Sequence, residues 1–385
     1  MSATTVQKRP ASARLTGENV TVVVLLALVL IGAAAGIYRL VVGLGPTTNL
    51  SDAIPWGIWI GFDFALIAFS GAAFTMAGLV YVFGQEQFRP AMRPAVLFGL
   101  VGYIAVLVLL LLDLGRWDRF WSFFINWNGH SPLFEISWCI VLYSIILAVE
   151  FSPQLFERVN KEGPVRLVYR IGVALAIIGV TLSSLHQSTL GTLYLNMPHR
   201  LQALWYSPLL PLFFFISSIM AGLAVTMIIY PLACRIRGKQ ADVKIPQGLA
   251  AIAAWVMLVY TLLKLGDILV AGELPALFAF DRTSLLMWIE LGLGAIVPMI
   301  LFFIPSLRAQ RLWQTVGALL ILFGVLMNRF NATLFAQINR PGASYSPHVL
   351  EWLSTLGVLA AVALAWYLGV KYLTVLDSEA DAKYH

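Results

Sequence analysis

Nine ionisable side chains interrupt apolar runs in this sequence, and their types suit hydrogen bonding and proton exchange. They are Asp63, Asp113, Glu135, His186, Lys264, Asp267, Glu290, Arg329 and Glu351. A charge at membrane depth is costly, so such residues face a partner or a wet cavity. His186 stands out within Ser183-Ser184-Leu185-His186-Gln187-Ser188-Thr189, a polar cluster ending an apolar stretch. An imidazole changes protonation near neutral pH. All nine are expected near the same end of their helices, the outer end. His130, His199 and His348 fall in or beside outer loops, whereas Glu150 lies toward the inner ends. A one-sided polar layer shared by many helices suggests a site open to the outer face or to the lateral bilayer.

Each of these residues also has a plainer role. Asp113 and Arg116 have the spacing of an i,i+3 pair ending a helix, and so do Lys264 and Asp267. Glu135 and Glu351 sit where a helix dipole favours an acid in the first turn. His186 reads equally as a hydrogen-bonded core histidine, and the interfacial tryptophans read as anchors. Metal chemistry finds little support. Cys139 and Cys234 fall in different spans and form no C-x-x-C, which excludes a cysteine-ligated iron–sulfur cluster in this chain and argues against a disulfide. A bis-histidine haem needs two facing histidines at one depth. Only His186 lies clearly within a span, His385 is the last residue, and no C-x-x-C-H occurs, so no haem is expected.

The elements that must position these groups follow from composition. Of 385 residues, 60% are hydrophobic and 11% charged, and the mean hydropathy is +0.84. Soluble domains do not have such a balance. Ten apolar runs are each long enough to cross about 30 Å of hydrocarbon. The spans are Val20–Val42, Pro55–Phe83, Pro94–Leu114, Phe134–Leu155, Arg170–Leu190, Pro208–Ile236, Gly248–Leu269, Ser284–Ile304, Leu312–Phe330 and His348–Tyr372. The expected fold is an all-α integral membrane protein with ten transmembrane helices. Asn49, Ser51 and Asp52 lead into the second span, where Pro55 can start a helix and Trp56 and Trp59 suit the interface. The N-terminus, the even-numbered loops and the C-terminal tail hold 17 of the 25 Lys and Arg, and the odd loops hold 5. That asymmetry puts both termini in the cytoplasm. The pI near 9.3 follows from this sorting and does not indicate nucleic-acid binding. The basic residues 1–19 precede a full-length span and read as a cytoplasmic tail, not a signal peptide.

A weak internal repeat organises the spans. Met76-Ala77-Gly78-Leu79 recurs as Met220-Ala221-Gly222-Leu223, and Leu111–Gly115 resembles Leu262–Gly266. Two four-helix units are therefore expected, 55–207 (spans 2–5) and 208–345 (spans 6–9). Residues 20–54 hold the first span and its outer loop, and 346–385 the last span and its tail. Chance likeness between apolar helices is the alternative.

Three segments together carry a family resemblance: TNLSDAIPWGIWIGFDF, the stretch Leu112–Trp121, and His186–Phe215. They resemble the NrfD/PsrC polysulfide-reductase membrane-subunit family, in its HybB-like (hydrogenase-2 type) or DsrP-like branch, and the likeness runs over nearly the whole chain. The resemblance implies a quinone-reactive subunit of a respiratory oxidoreductase in the bacterial inner membrane. A periplasmic ferredoxin-like iron–sulfur subunit would dock on it and link it to a hydrogenase, molybdopterin or multihaem catalytic subunit. Menaquinone or ubiquinone would bind in the first unit, with membrane lipid around it. Carried onto this sequence, the family's segments hold Asn49, Asp63, Asp113, Arg116, Glu135 and His186. In such a site His186, whose reference pKa is near neutral, would bond one quinone carbonyl, Asn49 and Asp52 would close the pocket from the loop, and Asp113 and Glu135 would relay protons. Two other readings compete, an ion or solute transporter and a pure membrane anchor. No span is obviously broken near its middle, which counts against the first; the buried Asp63 and His186 count against the second.

Overall fold

The computed structural model describes residues 17–197, 199–339 and 343–376. Ten of its helices are long and apolar enough to cross a membrane. They are α1 Gly17–Val42, α2 Ile58–Val82, α3 Glu86–Asp113, α4 Pro132–Arg158 and α5 Gly172–Leu195, then α6 Leu210–Ile236, α7 Lys244–Val270, α8 Arg282–Phe303, α9 Arg311–Phe335 and α10 Val349–Tyr372. They match the ten spans read from the sequence, and the chain is a multi-pass, all-α membrane protein. Helices prevail because hydrocarbon offers no partner to an unpaired backbone group. Among the described residues no strand forms, and the two isolated bridges join Ser51 to Ile54 and Leu201 to Gln337. Lys8, Arg9, Arg14, Arg340, Lys383 and His385 lie outside the described residues.

Three boundaries differ from expectation, each for a local reason. Ser51 and Ile54 exchange backbone hydrogen bonds of 3.1 and 3.0 Å, so Pro55 stays in the lead-in and α2 begins at Ile58. Pro94 lies inside α3, whose regular turns start at Arg89. Helix α5 runs on to Leu195, past the expected end at Leu190. His186 is therefore nine residues from that end, about 14 Å at the rise of an α-helix, and lies near the middle of the bundle.

Helices α2 and α6 form the centre and cross where glycine is required. A Cβ on Gly222 would lie 2.5 Å from Thr75 Oγ1 and 2.8 Å from Gly71 O. Helix α6 packs against α2, α3, α5, α7 and α9. Helix α10 packs on α3, and α1 lies outermost against α10. At the N-terminal end of α3, Arg93 bonds Glu157 on α4 at 2.8 Å and the carbonyl of Thr374 at 2.7 Å, tying three elements together.

Helix α2 is irregular near its middle, which the sequence did not announce. Regular turns run from Ile58 to Ser70 and Ala72 to Ala77, with wider π turns from Gly78 to Val82. Hydrogen bonding carries through the break, since Gly71 N–H donates to Ala68 O and Thr75 N–H to Gly71 O. Similar π turns occupy Ile289–Ile296 in α8 and Asn331–Phe335 in α9. Such turns are common at functional sites and re-aim side chains without ending the helix.

Candidate functional site

The C-terminal ends of α1 and α3 and the N-terminal ends of α2 and α10 converge on a buried polar group. Arg39, on α1, is 1% exposed. Its Nη2 donates to the carbonyl of Leu114 at 2.7 Å, and its guanidinium lies over the Trp59 ring at 5.9 Å. Its Nε and Nη1 have no partner. Asp113, which ends α3, attracts Arg39 electrostatically and repels Asp63. One carboxylate oxygen of Asp113 and one of Asp63 are buried without a partner. Trp59 is fixed by its Nε1–H bond to Ser354 Oγ at 3.0 Å.

A lid of hydrogen bonds covers this group. Glu351 in α10 accepts from Tyr345 O–H at 2.7 Å and from the N–H of His348 at 2.6 Å. Tyr345 in turn accepts the Ile58 N–H at 3.0 Å, one of the donors that the start of α2 leaves unpaired. His348 caps α10, its Nδ1 accepting the Leu350 N–H at 3.2 Å. The Glu351 carboxylate thus forms a capping box, the plainer of its two sequence readings. Asn49 belongs to the lid too, donating from its side chain to Ser346 O at 2.8 Å.

Deeper in, His186 faces Tyr103. The Tyr103 hydroxyl is 3.0 Å from His186 Nδ1, and both residues are fully buried. Tyr143 from α4 stacks edge-on against Tyr103 at 4.8 Å. Whichever tautomer forms, His186 Nε2 has no partner, and the Ser183 hydroxyl lies beside those of Tyr103 and Tyr143. Gln187 next to it donates to the carbonyl of Ile67 at 2.9 Å, bracing α5 against α2. A polar file therefore runs inward through spans 2–5, from Asp113 and Asp63 to Tyr103, Tyr143 and His186. Unpaired buried polar atoms are rare and call for an explanation.

The sequence-read residues are not all gathered here. Asp63, Asp113 and His186 lie along this file. Glu135, at the start of α4, is exposed and accepts from Thr189 Oγ1 at 2.8 Å. Asp52 is exposed in the Ser51–Ile54 turn. Arg116 does not pair with Asp113; it binds Asp118 at 2.8 Å in the loop after α3 and holds that carboxyl below its usual range. The i,i+3 pairing fails because α3 ends at Asp113 and the chain turns away. Tyr103 and Arg39 were missed as site residues. Tyrosine within a span carries no charge to flag it, and Arg39 sits in the last turn of its helix, where a cation is ordinary.

Spans 6–9 carry a different kind of cluster. Glu290 accepts from Trp205 Nε1 at 2.8 Å, Asn328 Nδ2 at 2.7 Å and Asn331 Nδ2 at 2.7 Å. Arg329 stacks on Phe214 at 3.8 Å and donates to its carbonyl and to Ser217 Oγ, both at 3.0 Å. Lys264 and Asp267 form no ion pair among the described residues. Lys264 lies 4.8 Å from the Phe213 ring centre, and Asp267 accepts from Ser207 Oγ at 2.7 Å. The repeated segments also end differently, since α7 continues six residues past Lys264. This half is closed around its own carboxylate.

The described residues contain no cluster of three or more His, Cys, Asp or Glu fit to hold a metal. The fold and site define a polytopic helical membrane protein with a buried polar file between spans 1–5 and 10. Comparison with known proteins narrows this. Residues 46–341 match the model of the NrfD family, described as polysulphide reductase NrfD, and the chain belongs to that family. It is 29% identical to the probable Ni/Fe-hydrogenase 2 b-type cytochrome subunit of Escherichia coli, over 88% of each chain. It is 28% identical to the menaquinone reductase integral membrane subunit of Nitratidesulfovibrio vulgaris, over 88% of this chain and 87% of the relative. Another Nitratidesulfovibrio vulgaris protein is 30% identical over 92% of this chain and 94% of its own.

The name of the Escherichia coli relative implies haem, and the residues here do not fit a bis-histidine one. His186 is the one histidine inside a described span. His130 and His199 lie in loops, and His348 is a helix cap. No second imidazole faces His186 from another helix among the described residues.

Proposed function

We propose that this chain is the quinone-reactive membrane subunit of a multi-subunit respiratory oxidoreductase. It exchanges electrons between a periplasmic iron–sulfur partner and the quinone pool, and the partner connects it to a catalytic subunit. The observation that carries this reading is the set of unpartnered buried polar atoms along spans 1–5: Arg39 Nε and Nη1, Asp63 and Asp113 oxygens, and His186 Nε2. A ligand with carbonyl or hydroxyl groups and a flat apolar ring suits such a row. The names of the relatives support the class, one of them a menaquinone reductase subunit and another a menaquinol oxidoreductase subunit.

Reduction of a quinone takes two electrons and two protons. Arg39 offers donors to one ring oxygen, and Trp59 gives that end of the pocket a rigid wall. Asp113 and Asp63 hold protons beside Arg39. His186, steadied by Tyr103, serves the far end of the file, where an imidazole can take or give a proton. Glu135, Asn49, Asp52 and Arg116 act around the rim, where a partner subunit can also reach them. The two four-helix units divide the work, the first holding the quinone and the second serving as scaffold. The membrane is the bacterial inner membrane, with both termini cytoplasmic.

The test is purification of the tagged chain from its native membrane, with extraction of quinone and identification of co-purifying subunits. Quinone and an iron–sulfur subunit are expected. A complex holding neither overturns the reading and favours a transporter. A reporter fused after His385 that behaves as periplasmic overturns the orientation.

A further inference from the structure

An apolar groove runs along the lipid-facing side of the bundle between α1, α3 and α10, with a volume of about 370 Å³. Its lining contains no charged side chain. Gly32, Ala33 and Gly36 on α1, Ala105 on α3, and Gly357 and Ala361 on α10 keep it open because they carry so little side chain. The floor is tight: a Cβ on Gly32 would lie 2.4 Å from the Cα of Gly357. The rim faces lipid, since Ile37, Ile104 and Val108 line the groove and are exposed. It extends from Val29 to Leu40 along α1, about 16 Å at the helical rise.

Its outer end meets the polar group described above. Leu40 and Leu112 line that end, and each adjoins a site residue, Arg39 and Asp113. Gly32, Gly36 and Arg39 share one face of α1, three to four residues apart. A molecule that satisfies both parts has a polar head for Arg39 and Asp113 and a long apolar tail for the groove. A phospholipid fits this poorly. Arg39 is 1% exposed, so a phosphate would have to shed its water to reach it. A quinone ring is neutral, and its carbonyl can accept from Arg39 Nε or Nη1.

The geometry points to this groove as the seat of the quinone's isoprenoid tail and to the gap between α1, α3 and α10 as its entry from the bilayer. The inference rests on the quinone reading and adds the route and the tail site. A tail held here stays in contact with lipid along the rim while the head sits beneath the lid of Tyr345 and Glu351. The ring then approaches Asp113 from the side of α1, without passing through the centre of the bundle.

The test uses the full chain in nanodiscs and measures binding by tryptophan fluorescence quenching. The probes are a long-tailed menaquinone and the same naphthoquinone ring without its tail. Ala33→Phe and Ala361→Phe fill the groove at positions that are not fully buried, and Ala34→Phe adds the same bulk to lipid-facing α1 outside it. The filled variants should bind long-tailed menaquinone roughly tenfold more weakly, the loss expected from about two buried methylenes, with the tail-less ring almost unaffected. Ala34→Phe should change neither. If the filled variants bind both probes as the unaltered chain does, or lose both equally, the tail assignment falls and the quinone reading stands. If they lose a co-purifying phospholipid and keep menaquinone affinity, the groove is a lipid site and the inference falls. If the unaltered chain binds neither probe, both readings fall.

Discussion

Removing the Tyr103 hydroxyl tests the proposed role of His186 with the smallest change. The O–H and Nδ1 are 3.0 Å apart and neither residue reaches solvent. In Tyr103→Phe the ring stays, so the edge-on contacts with Tyr143 at 4.8 Å and His186 at 5.7 Å persist. Only the hydrogen bond is lost. His186 then has a partner on neither nitrogen, since Nε2 has none already. Leaving a buried polar group unpaired costs about 1–3 kcal/mol. If His186 handles protons in turnover, that cost falls on the transition state and slows quinone-coupled turnover roughly 5- to 150-fold. The assay is quinone reduction or quinol oxidation by the purified complex across pH. The partner's activity with a soluble artificial carrier is the control, because that route bypasses this chain. His186→Ala should match Tyr103→Phe in effect, and the double variant should lose little more, as for groups acting as one unit. Wild-type quinone turnover and an unchanged pH profile in both Tyr103→Phe and His186→Ala, with assembly intact, would refute the reasoning.

Three further outcomes are expected. Gly357→Val should push α1 away from α10, since a Cβ at 357 would lie 2.5 Å from Gly32 Cα, and such overpacking costs about 1–3 kcal/mol; a lower unfolding temperature in detergent checks it. Asp281 caps α8, its carboxylate accepting the Ser284 N–H at 2.8 Å, and that bond holds its carboxyl below the usual range. A depressed folded-state value means the cap stabilises above the ordinary carboxylate range and is lost as pH falls through the depressed value. Asp281→Ala should therefore lower the unfolding midpoint at neutral pH by an amount that shrinks toward strong acid, and a difference that grows with acidity would contradict it. Finally, the reduced, purified chain should show no Soret band, because no described histidine faces His186 within the membrane; a stoichiometric band would end that reading.

Hydropathy alone fixed the number of spans, because crossing hydrocarbon imposes a length and forbids unpaired backbone. It also drew the candidate residues toward one end, and the quoted segments were enough to suggest the family that residues 46–341 match. What the one-dimensional pattern could not supply was the azimuth of each side chain and the partner across the helix interface. Asp113 and Arg116 have ion-pair spacing, yet the turn after α3 sends Arg116 to Asp118 and leaves Asp113 facing Arg39. Lys264 and Asp267 have the same spacing on a continuous helix, yet one meets the Phe213 ring and the other Ser207. His186 was placed too near the surface, because the helix runs five residues past the expected end and depth is counted from that end. Its partner Tyr103 was invisible for a similar reason. A tyrosine in an apolar run looks like packing until α3 and α5 are brought together, and only their docking turns its hydroxyl toward the imidazole. Spacing along the chain sets how deep a residue lies; the packing of helices against one another decides what it meets.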